Sequence, residues 1–133
     1  MFSKHSKPQN RIDSLIGMGT KVNGDVHFSG GLRVDGEISG NVIADPAKAS
    51  TLVLSEHARV DGEISVTHLV VNGVVTGPIH AAEYLELQSK AKVTGDVKYK
   101  TLEIQLGAIV EGKLVHISEA SEKVVSLKLS GTE

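Results

Sequence analysis

The strongest constraint on this 133-residue chain is an internal repeat. Residues 52–64, LVLSEHARVDGEI, recur whole or shortened from one end to the other, with Leu52, Leu69, Leu85 and Leu102 opening copies at intervals of 17, 16 and 17 residues. Upstream, Ile16 and Leu32 fit the same place 16 residues apart, and 20 residues separate Leu32 from Leu52, the excess falling in residues 44–50. Aligned this way, six copies carry Val22-Asn23-Gly24-Asp25-Val26, Val34-Asp35-Gly36-Glu37-Ile38, Val60-Asp61-Gly62-Glu63-Ile64, Val71-Asn72-Gly73-Val74-Val75, Val93-Thr94-Gly95-Asp96-Val97 and Val110-Glu111-Gly112-Lys113-Leu114. Such an array specifies stacked units, none of which can bury its apolar face alone.

Within each copy apolar residues alternate, as in Val22, Val26 and Phe28 or Leu32, Val34, Ile38 and Val42, which places one set of side chains inside and the other in water. Each short run ends at a glycine, often beside Asn or Asp, the residues that tolerate a corner. A chain that turns at fixed intervals and regains its phase after about 17 residues must stack circuit on circuit. At an interstrand spacing of about 4.8 Å, six coils make a rod of roughly 25 to 30 Å. Left-handed β-helices rest on six-residue units and coils of about 18, a rule that circuits of 16, 17 and 20 residues break. The expected fold is therefore all-β: a right-handed parallel β-helix, or solenoid, of about six coils over residues 15–117. A flexible N-terminal tail, residues 1–14, and a C-terminal tail, residues 118–133, with room for one short capping strand, flank it.

The copies come in two forms. The long form keeps Leu-x-Leu-x-x-x-Ala-x-Val before its glycine, in copies opening at Leu52, Leu85 and Leu102; the short form, opening at Leu32 and Leu69, drops the middle and adds Gly40 or Gly77. The coil cross-section is kept while the corners move. Aromatics are 3% of the chain and Trp is absent, so Val, Ile, Leu and Ala must build the core. The chain has no cysteine, which removes disulfides and thiolate metal sites, and a formal charge of −2 gives no overall attraction to nucleic acid. No apolar run approaches the roughly 20 residues of a membrane span, and the start, MFSKHSKPQNR, lacks a secretory core.

Outward positions read as two charged ladders, Lys21, Arg33, Arg59 and Lys92 beside Asp25, Glu37, Glu63 and Asp96, balancing one another in solvent rather than holding a metal. The fourth copy interrupts both with Val70 and Val74, near Val53, and this apolar patch is the candidate lateral or partner contact. His27, His57, His68, His80 and His116 fall on outward or corner positions and His5 in the tail, with no spacing that makes a triad or metal site; Gly30-Gly31 is not followed by the Lys-Ser or Lys-Thr of a phosphate loop. No catalytic, cofactor or metal site is expected.

Two features point to assembly. Neither end of the stack has a capping helix, so coil should stack on coil between molecules without nucleotide, with Phe28 at one end and Leu106 and Ile109 at the other as candidate polymer-interface residues. In the tail, Met1 and Phe2 followed by Lys4 and Lys7 can dip into a lipid interface while the cations meet anionic head groups, weakly per tail but together along a polymer.

The run IGMGTKVNGDVHFSGGLRVDGEISGNV at residues 16–42, followed by the long-form copies, resembles the bactofilins, bacterial cytoskeletal proteins; the likeness covers roughly residues 16–116. It implies a right-handed β-helical core between disordered tails, assembling without nucleotide into non-polar filaments through like ends. It also implies scaffolding of cell-wall enzymes or polarity proteins and of cell shape at the inner face of the cytoplasmic membrane, with Met1, Phe2 and Lys4 resembling the family's membrane-targeting start. The C-terminal tail is shorter than in many members. The competing reading, a left-handed β-helical acyltransferase, would need strict hexads and a catalytic histidine at a trimer cleft; a β-helical carbohydrate domain would need exposed aromatics or carboxylates and an export signal.

Overall fold

The computed structural model describes residues 11–118, and every regular element among them is a β-strand, from Ser14–Ile16 to Leu114–His116. The chain winds through three faces. The first holds Ser14–Ile16, Gly30–Val34, Ser50–Leu54, the later parts of Ile64–Val71 and Ile79–Leu87, and Leu102–Ile104. The second holds Lys21–Asn23, Glu37–Ser39, Arg59–Asp61, Val74–Thr76, Lys92–Thr94 and Ile109–Glu111. The third holds Val26–Phe28, Val42–Ala44, the earlier parts of Ile64–Val71 and Ile79–Leu87, Val97–Tyr99 and Leu114–His116. All pairings are parallel, and six circuits result: a parallel β-solenoid, as the repeat requires.

The interior is a set of apolar ladders. Leu32, Leu52, Leu69 and Leu85 stack on the first face; Ile38, Val60, Val75 and Val93 on the second; Val42, Ile64, Ile79 and Val97 on the third, each 3% exposed or less. At roughly 1.5 to 3 kcal/mol per fully buried aliphatic side chain, these columns dominate the stability of the rod. Aromatic rings are not needed because aliphatic neighbours of similar size one strand spacing apart already fill the interior.

The three edges differ in their chemistry. At the second edge every coil turns through a glycine: Gly24, Gly40, Gly62, Gly77, Gly95 and Gly112, all at positive φ. Gly95, at φ +135, shows why: a Cβ there would sit 2.7 Å from the Gly77 carbonyl oxygen one coil below. The following side chain caps the next coil, as where Asp25 accepts the Asn41 N–H at 2.9 Å and Asn41 accepts the Glu63 N–H at 2.9 Å. The first edge alternates. Coils 1, 3, 5 and 6 make four-residue turns closed by Thr20 to Gly17, Ala58 to Ser55, Ala91 to Gln88 and Ala108 to Gln105 hydrogen bonds of 2.9 to 3.2 Å. Coils 2 and 4 cut the corner through Asp35-Gly36 and Asn72-Gly73, so short turns lie in troughs between long ones. The third edge is irregular and carries the one insertion among the described residues, at 45–49, where Asp45 accepts the Ala47 N–H at 3.0 Å.

Two expectations are corrected by the register. Ile16 pairs with Val34, not in the place of Leu32, which Ser14 occupies. A slip of two residues keeps side-chain parity and leaves the hydrophobic pattern unchanged, so alternation alone could not detect it. Second, Val34-Asp35-Gly36-Glu37-Ile38 and Val71-Asn72-Gly73-Val74-Val75 lie at the first edge, whereas the other four copies lie at the second. Their true counterparts at the second edge are Ile38-Ser39-Gly40-Asn41-Val42 and Val75-Thr76-Gly77-Pro78-Ile79. Both corners are spelled apolar-x-Gly-x-apolar, because a sharp turn between inward residues makes the same local demand wherever it occurs.

Candidate assembly surfaces

Register also dissolves the two charged ladders. On the second face the outward column runs Lys21, Glu37, Arg59, Val74, Lys92, Ile109, so opposite charges alternate at its start. Arg33 belongs to the first face, whose outward column runs Leu15, Arg33, Val53, Val70, Glu86, Glu103. Val53 and Val70 are therefore direct neighbours, both half-buried, while Val74 lies around the first edge between Arg59 and Lys92. The expected valine patch is two residues on one face and one on another.

The ends of the stack differ sharply from its middle. Ile104 continues the column of Val34, Leu54, Val71 and Leu87, each 0% exposed, yet is itself 48% exposed, and Leu114 is 43% exposed one coil beyond the fully buried Val97. Among the described residues no coil covers them. Leu106 is 96% and Ile109 49% exposed in the same coil. At the opposite end Leu15 is 61% and Met18 68% exposed, and Phe28 is half-buried against the core, pairing only with the coil above through Ala44. Phe28 thus sits at one end and Leu106 and Ile109 at the other. Leu15, Met18, Ile104 and Leu114 were not among the residues expected at the ends; for Ile104 and Leu114 the signal was available in register, since an inward residue of a terminal coil is left half bare. Met18 and Leu106 also share one corner position, the tip of the long turn, where Glu56 and Ser89 stand in coils 3 and 5.

The chain enters coil 1 across the outer side of coil 2. The Arg11 carbonyl fills the space that a side chain on Gly31 would need, the Asp13 N–H donates to the Gly31 carbonyl at 2.8 Å, and the Asp13 carboxylate accepts the Gly31 N–H at 2.9 Å. That last bond, with Arg11 Nε 2.9 Å from the same carboxylate, holds the Asp13 carboxyl below its ordinary value of 3.8. The paired glycines, set aside above as no phosphate loop, are a seat for the incoming segment. Met1, Phe2, Lys4 and Lys7, the candidate membrane contacts, lie outside the described residues, as does His5.

A polar cluster occupies the first face in coils 5 and 6. The Tyr84 hydroxyl shares its one proton between Glu103 and, at 3.2 Å, Glu86; Gln88 and Gln105 donate to Glu86 at 3.0 and 3.4 Å. Partial burial and these carboxylates push the Tyr84 phenol well above its ordinary value, so it acts as a donor and not as a base. His68 and His116 lie beside Tyr84 and Tyr99 on adjacent coils, with ring centres 6.4 and 5.7 Å apart. Among the described residues no three histidine, aspartate or glutamate side chains converge as metal ligands, and no helix is long and apolar enough to cross a membrane. The four carboxylates of the acidic ladder do not share one column: Glu37 is on the second face, while Asp25, Glu63 and Asp96 are at the second edge.

Comparison with known proteins agrees with this geometry. Residues 14–115 match a family model described as "Bactofilin: Polymer-forming cytoskeletal". The chain is similar to two bactofilins of Myxococcus xanthus (strain DK1622): BacP, 26% identical over 109 residues, and BacO, 24% identical over 102. It covers 44% of BacP and 78% of BacO, matched by 82% and 77% of its own length, so it spans less than half of the first of these relatives. The solenoid also superimposes with a TM-score of 0.64 on the cryo-EM reconstruction of Thermus thermophilus bactofilin double helical filaments, at 25% identity, over 76% of this chain and 98% of that one. With the family model spanning the strands from Ser14 to the last coil, the chain belongs to the bactofilin family of polymer-forming cytoskeletal proteins.

Proposed function

We propose that this chain is the subunit of a cytoskeletal scaffold that stacks end to end, without nucleotide, into non-polar filaments. The observation that carries the reading is the contrast between Leu87, fully buried, and its successor Ile104, 48% exposed. Covering each aliphatic residue of a terminal coil is worth on the order of 1 to 2 kcal/mol, and closing the open strand edges adds hydrogen bonds along all three faces. The family description and the filaments of the Thermus thermophilus bactofilin support the same reading. The filaments lie against the inner face of the cytoplasmic membrane through Met1, Phe2, Lys4 and Lys7, and they gather envelope or cell-shape proteins along their length.

The test is sedimentation and electron microscopy of purified protein in nucleotide-free buffer. The unaltered chain should form filaments, and Ile104→Arg should leave soluble subunits with the same β-sheet circular dichroism. A strictly monomeric unaltered chain, or filaments indifferent to Ile104→Arg, would overturn the proposal.

A further inference from the structure

The outward column of the first face has an order that the other faces lack. From coil 1 to coil 6 it runs Leu15, Arg33, Val53, Val70, Glu86, Glu103: a cation, two valines at the centre, then two carboxylates. Glu86 and Glu103 are neighbours on adjacent coils, and among the described ion pairs neither meets a cation; they are bridged by the Tyr84 hydroxyl instead. Arg33 bonds Asp35 through Nε at 3.1 Å, and a guanidinium has two further nitrogens to offer. The apolar centre is half-buried between these charges of opposite sign.

From this order we infer that the first face is a self-complementary lateral contact, which pairs two copies of this chain with their coil axes antiparallel; the inference rests on the filament reading above. A two-fold axis lying along the strands, between coils 3 and 4, brings Val53 against Val70 of the second copy and Arg33 against Glu86 of the second copy, each contact occurring twice. The flanking outward positions agree: Ser55 faces Asn72, and the segment crossing Gly31 brings Ile12, 41% exposed, toward Tyr84. Leu15 and Glu103 meet at the rim and add nothing. Parallel pairing of the same face would set Arg33 on Arg33 and the carboxylates on themselves, so the charge order selects against it.

Size explains how the contact operates. Six coils at about 4.8 Å, with strands of a few residues, offer roughly 300 to 450 Å² per copy, well below the about 800 Å² per partner of a stable complex. Single subunits therefore do not pair. A filament repeats the face at every subunit, each further contact forms at high effective concentration, and two filaments zip together.

A charge exchange tests this, with filament width read by electron microscopy and pairing by low-speed sedimentation at low salt. Arg33→Glu and Glu86→Arg should each give single filaments, with paired ones reduced about tenfold or more, because each places like charges in register. Mixing the two variants should restore pairing, since every contact then joins opposite signs. Val70→Asp should also leave filaments single, whereas Val74→Asp should not alter pairing. Filaments of the unaltered chain that stay single, single variants that pair normally, or a mixture that stays single would overturn the lateral contact. Absence of filaments from every sample would instead overturn the filament reading, and with it the inference.

Discussion

The Lys90 ammonium in coil 5 lies 3.0 Å from the Glu56 carboxylate in coil 3 and so spans the short turn of coil 4. The Lys90 N–H also bonds Asn72 Oδ1 at 3.0 Å, so the residue that bridges the trough is tied to its floor. The other trough, between coils 1 and 3 over Asp35-Gly36, has Met18 and His57 at its lips and, among the described ion pairs, no such bridge.

Lys90 holds the Glu56 carboxyl below its ordinary value of 4.5. A carboxyl with a depressed pKa in the folded state adds stability above its unfolded pKa and loses it as pH falls through the folded one. Thermal melts should therefore show a pH-dependent difference between the unaltered chain and Glu56→Gln that is present at neutral pH and disappears in acid. Both side chains are largely exposed, so raising salt should shrink it.

The glycine ladder should be graded by position. Gly77→Ala must accept both a positive φ, +146, and a collision with the Gly62 carbonyl, and should cost several kcal/mol. Gly24→Ala, at φ +124 in coil 1 with nothing near its Cβ, should cost only about 1 to 2 kcal/mol. Urea denaturation of the two variants measures the contrast, and equal costs would show that the ladder contact is immaterial.

The entry seat should open in acid. Because the Gly31 N–H bond holds the Asp13 carboxyl low, protection of that amide against hydrogen exchange should be full above about pH 4 and fall as Asp13 protonates. Asp13→Asn should weaken the protection at neutral pH. Gly31→Val, which takes the place of the Arg11 carbonyl, should release the entering segment to proteases while leaving the coils intact.

Deleting residues 1–7 should abolish co-sedimentation with liposomes of anionic lipid and leave filament formation unchanged. Retained lipid binding would assign the contact to the solenoid itself.

How far the sequence could be read follows from what each signal encodes. Alternation and glycine spacing report side-chain parity and local turning, so the coil count, the set of inward residues and the absence of helix among the described residues were legible. Which strand lies above which is a matter of register, and nothing local separates Gly36 at the first edge from Gly40 at the second. The charged ladders failed for that reason: Arg33 was aligned with Lys21, although they lie on different faces. Val53 and Val70 were brought together by sequence because both sit in copies that open in step, Leu52 over Leu69. The half-bare Ile104 and Leu114 depend on a fact about the end of the stack that their own neighbours in sequence do not carry.

The alternation of long and short turns at the first edge makes the rod a ruler with a two-coil division. Duplicating coils 3 and 4 as a unit would keep a long turn next to each short one, preserve the glycine edge and leave both terminal coils unchanged. The subunit would lengthen by about 9.6 Å. Duplicating a single coil would set two turns of equal reach against each other, as coils 5 and 6 already do beside the exposed end. A lineage of such chains could thus alter the axial repeat of its filament in fixed steps while its joints stayed the same.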